Sequence, residues 1–225
     1  MSTTSRALAV VVAVGALAVT SAGAAPSLSS PSSGASMTTT HPEFSWVLPS
    51  GESALSISVA RSPTINPSTD DFMPGELAQI GVLKGDATKW TPSRPLPAEK
   101  YYWHVASRAD QNRLYSVVSS FVIRPLISKL SISAKSSYGR MFLITTSWTA
   151  NEQKVDFLAR LFQGSKRLGE RKLTTDNFLI DSRKQDVSTW VLPETVKKGA
   201  RLRFVVTLKS EGGARASKTI AIRAT

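Results

Sequence analysis

Short runs in which apolar and polar residues alternate recur along this chain, most of them bounded by proline, glycine or serine. A period of two is the side-chain period of a strand with one buried face. The richest run is residues 96–105, Leu-Pro-Ala-Glu-Lys-Tyr-Tyr-Trp-His-Val, a turn-forming lead-in followed by Tyr101, Trp103 and Val105 on one parity. A tyrosine at the start of such a strand can hydrogen-bond back to the preceding corner. Upstream, Phe44 and Trp46 alternate, then Leu55, Ile57 and Val59; downstream, Val117, Ser119, Phe121 and Ile123 do the same. We assign these four runs as strands B, C, F and G. Between C and F, residues 63–97 carry Pro63, Pro67, Pro74, Pro92, Pro95 and Pro97. That stretch is too broken for a helix and is expected to be partly surface loop, with a short strand E near residues 87–91 carrying Trp90.

The plan repeats. Ser45-Trp46 returns as Ser147-Trp148, Lys89-Trp90 as Thr189-Trp190, and Tyr101-x-Trp103-x-Val105 as Leu202-x-Phe204-x-Val206, each about one hundred residues later. In the second copy Leu126, Leu130 and Ile132 predict A, and Phe142, Ile144, Thr146 and Trp148 predict B. Val155, Phe157, Ala159 and Leu161 predict C, Leu202 to Leu208 on alternate positions F, and Ile220 with Ile222 G. Glu211-Gly212-Gly213-Ala214 supplies the F to G hairpin turn, where glycine allows a positive φ. Arg124-Pro125 marks the boundary, because proline cannot donate to a ladder. The expected organisation is 1–24 signal peptide, 25–124 first unit and 125–225 second unit, each unit about the 100 residues of one sandwich. So short a joint predicts two units standing end to end with limited freedom.

Trp46 in strand B, Leu96 in the E to F corner and a tyrosine opening strand F resemble the core signature of fibronectin type III domains. Leucine-to-tyrosine spacing fits Tyr102 and alternation favours Tyr101. The second copy keeps Trp148 but places Leu202 where the tyrosine would stand, so it resembles the wider immunoglobulin-like superfamily. The resemblance implies an all-β fold of two tandem antiparallel β-sandwiches, with Trp46, Leu96, Tyr101, Trp103 and Trp148 in the cores. It also implies extracellular adhesion, spacing or ligand display without catalysis.

Arg6 is the only charge in a leader whose residues 7–19 are apolar apart from Gly15, and Ala22-Gly23-Ala24 has the small-residue pattern of a signal-peptidase site. Cleavage is expected after Ala24, and the alanine-rich leader is of bacterial type. The apolar run is shorter than the about 20 residues a membrane span needs, and no second such run follows. With no cysteine, disulfides, thiolate nucleophiles, thiolate-liganded zinc and a lipidated N-terminus are excluded. An exported fold must then rest on its hydrophobic cores.

Catalytic chemistry is sparse. The two histidines are His41, before a proline, and His104 in strand F, which we expect to be a half-exposed strand residue. No Gly-x-Ser-x-Gly elbow accompanies either. Asp70-Asp71, Asp176, Asp181 and Asp186 lack the spacing of a calcium loop and are expected to be solvated loop acids. Arg108-Ala109-Asp110 near the F to G loop has alanine where an integrin-binding tripeptide needs glycine. We therefore expect no enzyme activity, cofactor or metal.

Charge is unevenly placed. Residues 25–125 carry eight basic and eight acidic side chains, whereas residues 126–225 carry nineteen and eight, a net of +11. Such asymmetry argues for an anionic partner. If Leu202, Phe204, Val206 and Leu208 face inward, Arg201, Arg203 and Lys209 face outward; the same parity turns Lys154, Arg160 and Phe162 outward on C, and Arg215 and Arg223 join them on G. This is a basic stripe on one exposed sheet, with Lys166, Arg167, Arg171 and Lys172 extending it along the edge after strand C. The expected protein is a secreted or envelope-associated binding or spacer module. Its expected partner is an anionic polymer (teichoic acid, acidic polysaccharide, anionic lipid headgroups or DNA) or, through the uncharged first unit, an envelope protein.

Overall fold

The computed structural model describes residues 24–109, 111–175 and 179–224; the apolar leader, Asp110 and Asp176 lie outside the described residues. The described chain is built of strands, and its helical content is one 3₁₀ turn, Pro74–Glu76. No helix among the described residues is long and apolar enough to cross a membrane.

Nine strands make the first sandwich: β1 (Ser27–Ser30), β2 (Ala35–Met37), β3 (Phe44–Val47), β4 (Ser53–Ala60), β5 (Leu77–Val82), β6 (Lys89–Trp90), β7 (Lys100–Ala109), β8 (Asn112–Tyr115) and β9 (Ser119–Ile123). One sheet runs β1-β3-β6, and the other β2-β9-β7-β4-β5 with β8 paired to β7. β2 lies parallel to β9, whereas the other pairings are antiparallel. Between the sheets Phe44 meets the rings of Trp103 at 4.9 Å and Phe121 at 5.5 Å in edge-on contacts, the geometry aromatic quadrupoles prefer. Tyr101 is fully buried and its hydroxyl donates to the Pro97 carbonyl at 3.1 Å, while Tyr102 is half-buried. Tyr101 is thus the corner residue. Trp46, Leu96 and Trp103 are buried in the same core.

Three expectations need correction here. A register shift in β4 between Ala54 and Ser56 buries Ala54 in place of Leu55. Val117 precedes β9 and is 78% exposed. Residues 63–97 contain the edge strand β5, which points Ile80 and Val82 outward. Its inward position is Gly81, where a Cβ would collide with the Trp90 indole.

Seven strands make the second sandwich: β10 (Ile127–Ser136), β11 (Met141–Ala150), β12 (Val155–Gln163), β13 (Lys166–Thr175), β14 (Lys184–Val191), β15 (Arg201–Ser210) and β16 (Arg215–Arg223). The sheets run β10-β11-β14 and β13-β12-β15-β16, so strands A, B and E face C, F and G. Trp148 stacks on Phe157 and Trp190 meets Phe204 edge-on in a second, separate core. Leu202 replaces the corner tyrosine, and the corner is held instead by Arg140. Its guanidinium donates to the carbonyls of Leu192, Pro193 and Val196. Gly213, at φ 95°, closes the hairpin between β15 and β16.

The joint is tied from both sides by Asn151, which is 2% exposed. Its side-chain oxygen accepts from the Leu126 N–H at 2.6 Å, and its amide donates to the carbonyls of Arg124 at 2.8 Å and Thr38 at 3.4 Å. Its own carbonyl accepts from the Ala98 N–H of the first sandwich at 3.1 Å. Thr40 donates to the Asp181 carboxylate alongside.

Candidate functional site: the outer face of the basic sheet

Strand alternation and register decide what the outer face of β13-β12-β15-β16 presents. On β15, Arg201, Arg203, Val205, Thr207 and Lys209 point outward, opposite Arg223, Ala221, Thr219, Ser217 and Arg215 of β16. Across the other side, Lys209 pairs with Asp156, Thr207 with Leu158, Val205 with Arg160 and Arg203 with Phe162 of β12. Lys154 is exposed immediately before β12. All seven candidate cations therefore share one side of one sheet.

They do not form a continuous stripe. Arg201, Arg203 and Arg223 gather at one end, with the Arg203 guanidinium 5.1 Å from the centre of the Phe162 ring. Lys154, Lys209 and Arg215 gather at the other, next to Asp156. From Arg203 to Lys209 is six strand residues, about 20 Å. Leu158, Val205, Thr207, Ser217 and Thr219 fill the middle without charge. Arg160 is engaged. Glu170 of β13 accepts from Arg160 at 2.8 Å and Arg167 at 2.9 Å and pairs with Lys172 at 3.2 Å. The hydrogen bond from Arg160, then that from Lys172, holds the Glu170 carboxyl below the usual glutamate value. By contrast Arg201, Lys209, Arg215 and Arg223 have no ion-pair partner among the described residues. Around Lys209 the sheet forms a depression of about 590 Å³, lined among others by Asp156, Leu158, Lys172, Thr207 and Arg215.

A second polar cluster lies on the first sandwich. His104 is 2% exposed, not half-exposed, because residues 61–76 fold back over the outer face of β4 and β7. Phe72 lies over the imidazole at 4.5 Å and Tyr115 at 5.2 Å, and the Tyr115 hydroxyl donates to the Thr69 carbonyl at 2.7 Å. His104 Nε2–H donates to Asp71 at 2.8 Å, and Ser58 donates to the other carboxylate oxygen at 3.2 Å. Asp71 is therefore a paired acid rather than a solvated one. Serine, aspartate and histidine do meet here, but the carboxylate stands between the other two. Nucleophile activation needs the imidazole on the hydroxyl, so this cluster pins a loop. Asp181 and Asp186 are separately engaged, with Thr40 and with Arg171 at 3.1 Å.

Burial pushes the His104 imidazole below its ordinary value, against the opposing pull of Asp71, and Arg113 adds to the lowering. Burial would raise Asp71, but its hydrogen bonds from His104, Phe72 and Ser58 outweigh that and hold it low. Neutral imidazole therefore faces carboxylate at pH 7. Below about pH 6.5 the unfolded chain takes up a proton that folded His104 refuses, so stability falls with acidification by up to about 1.4 kcal/mol per pH unit. Asp71 adds a further loss below about pH 4. Urea midpoints measured from pH 7.5 to 5 should fall in the wild type and flatten in His104→Gln; parallel curves would refute the assignment.

No family model matches the chain, and no curated protein matches it. Solved structures similar to it include a tetra-tandem repeat in the extending region of a large adhesion protein, at 12% identity and TM-score 0.41 over 89% of this chain and 49% of that one. The chain spans about half the length of that repeat. A two-domain fibronectin type III segment of chicken tenascin is similar at 13% identity and TM-score 0.42, over 88% of this chain and 97% of that one. An α-L-rhamnosidase from Dictyoglumus thermophilum is similar at 14% identity and TM-score 0.28, over 83% of this chain and 27% of that one. At such identities none of these proteins lends the chain an activity or a partner. Sheet order, read from the chain itself, makes the fold a tandem pair of immunoglobulin-like antiparallel β-sandwiches, the first with a tyrosine corner like that of fibronectin type III domains.

Proposed function

We propose that this is a secreted, non-enzymatic binding or spacer protein in which residues 125–225 contact an anionic envelope or extracellular polymer and residues 25–124 space or present that contact. The observation that carries the reading is the cluster of outward cations on one sheet face, most of them without an acidic partner among the described residues. A single-sign surface draws polyanions toward it. Substitutions at exposed positions outside a core change stability by only about 0.5 kcal/mol, so these residues can be exchanged without unfolding the sandwich. Arg201→Glu with Arg203→Glu is expected to abolish retention on isolated envelopes. Wild-type retention should fall with rising salt along a logarithmic slope set by the number of contacts. Unchanged retention at low salt sinks the proposal.

A second reading rests on β5. It is an edge strand, and its Ile80 and Val82 are 53% and 81% exposed. Unpaired edges bearing apolar side chains accept strands from other proteins. Co-purification of one protein that resists moderate salt supports assembly through the first sandwich; elution from the envelope by the same salt supports the polymer.

A further inference from the structure

Dense polyphosphates and sparse acidic sugars ask different things of a surface, and the two ends of the basic face discriminate between them. At the Lys209 end a carboxylate stands among the cations: Asp156 pairs across the ladder with Lys209 and accepts from the Thr174 hydroxyl at 2.8 Å. A run of phosphates laid there would meet that negative charge. A sugar acid would not, because its own hydroxyls donate to a carboxylate while its acid group goes to Lys209 and Arg215. The depression also offers Leu158 and Thr207, an apolar side chain and a hydroxyl next to the charges, which suit the face and rim of a sugar ring. The two ends are about 20 Å apart, and the one cation between them on β12, Arg160, is already paired with Glu170.

Resting on the anionic-polymer reading above, we infer that this face binds an acidic polysaccharide at two points of one strand. One acidic sugar occupies the depression at Lys209 and Arg215, and a second acid group further along is held by Arg201, Arg203 and Arg223. Occupying both ends makes the second contact intramolecular, so affinity rises steeply once the strand reaches both.

The test uses the full chain, with digalacturonate, long polygalacturonate and long-chain polyphosphate as probes, followed by calorimetry at low salt. Polygalacturonate should bind about 10²-fold or more tighter than digalacturonate. Arg201→Glu with Arg203→Glu should erase that advantage and leave digalacturonate binding intact, whereas Lys209→Glu with Arg215→Glu should abolish both. Asp156→Ala should weaken polygalacturonate and strengthen polyphosphate. Circular dichroism confirms that each variant is folded. A length advantage that survives Arg201→Glu with Arg203→Glu overturns the two-point mode. Polyphosphate binding as tightly as polygalacturonate, or Asp156→Ala strengthening both, overturns the sugar assignment. Failure of every long polymer to bind sinks the anionic-polymer reading itself.

Discussion

Trp103→Ala should cost the first sandwich about 3–5 kcal/mol, the range for truncating a large buried aromatic. Trp103 is fully buried and packs edge-on against Phe44, which in turn meets Phe121 and Trp90. Its removal therefore opens a cavity at the centre of an aromatic cluster whose members have few ways to collapse inward. Small domains have only about 5–15 kcal/mol of stability in total, and this chain has no disulfide to compensate. The effect should be local. Chemical denaturation should show the transition of the first sandwich shifted or abolished while that of the second, with its own core around Trp148 and Phe204, stays in place. Trp103→Phe provides a control. The indole nitrogen has no acceptor among the described residues, so phenylalanine loses volume but breaks no hydrogen bond, and its cost should be clearly smaller. Equal shifts in both transitions, or no shift, would contradict the separation into two cores.

Asn151→Ala should loosen the joint. The substitution strands the Leu126 N–H and the Arg124 carbonyl, which Asn151 satisfies at 2.6 and 2.8 Å. Leaving a buried polar group unpaired costs about 1–3 kcal/mol. Part of that cost should appear as freedom between the sandwiches, because the same side chain also reaches the Thr38 carbonyl on the other side. Small-angle scattering should report a broader distribution of maximum dimensions for Asn151→Ala than for wild type. Asn151→Asp keeps the acceptor for Leu126 but turns a buried carboxylate oxygen onto the Arg124 and Thr38 carbonyls, and should loosen the joint at least as much as Asn151→Ala. Identical scattering profiles for all three would show that Asn151 does not restrain the joint.

Much of the fold could be read from alternation, and the exceptions have physical causes. Tyr101, Trp103 and Val105 announce their strand because one face is buried against a dry core. The repeat of Trp46 as Trp148 carries the tandem plan in the same way. Strand β13 is silent in the sequence because it is an edge strand whose residues are largely exposed, so nothing forces its pattern to alternate. Without β13 the role of Glu170 is hidden, and with it the neutralisation of Arg160. Strand β5 misleads differently. Trp90 fills the space at Gly81, and the apolar residues that remain visible, Ile80 and Val82, point toward solvent. The burial of His104 is beyond any local pattern, since it depends on residues 61–76 returning across the sheet. Outward parity could place the seven cations on one face, but only the register could separate six of them into two groups and set the paired Arg160 between.

The parallel pairing of β2 with β9 bears on how the chain would respond to traction. The Gly34 N–H bonds to the Ser120 carbonyl and the Arg124 N–H to the Met37 carbonyl, each at 2.7 Å, and β9 runs directly into the joint. Once β1 has been drawn off, tension between the N-terminal side and the second sandwich pulls β2 and β9 along a common axis in opposite senses. Parallel strands loaded that way must slide, so their bonds share the force rather than opening one at a time as a peeled hairpin does. A spacer built on this clamp would yield late and abruptly under traction.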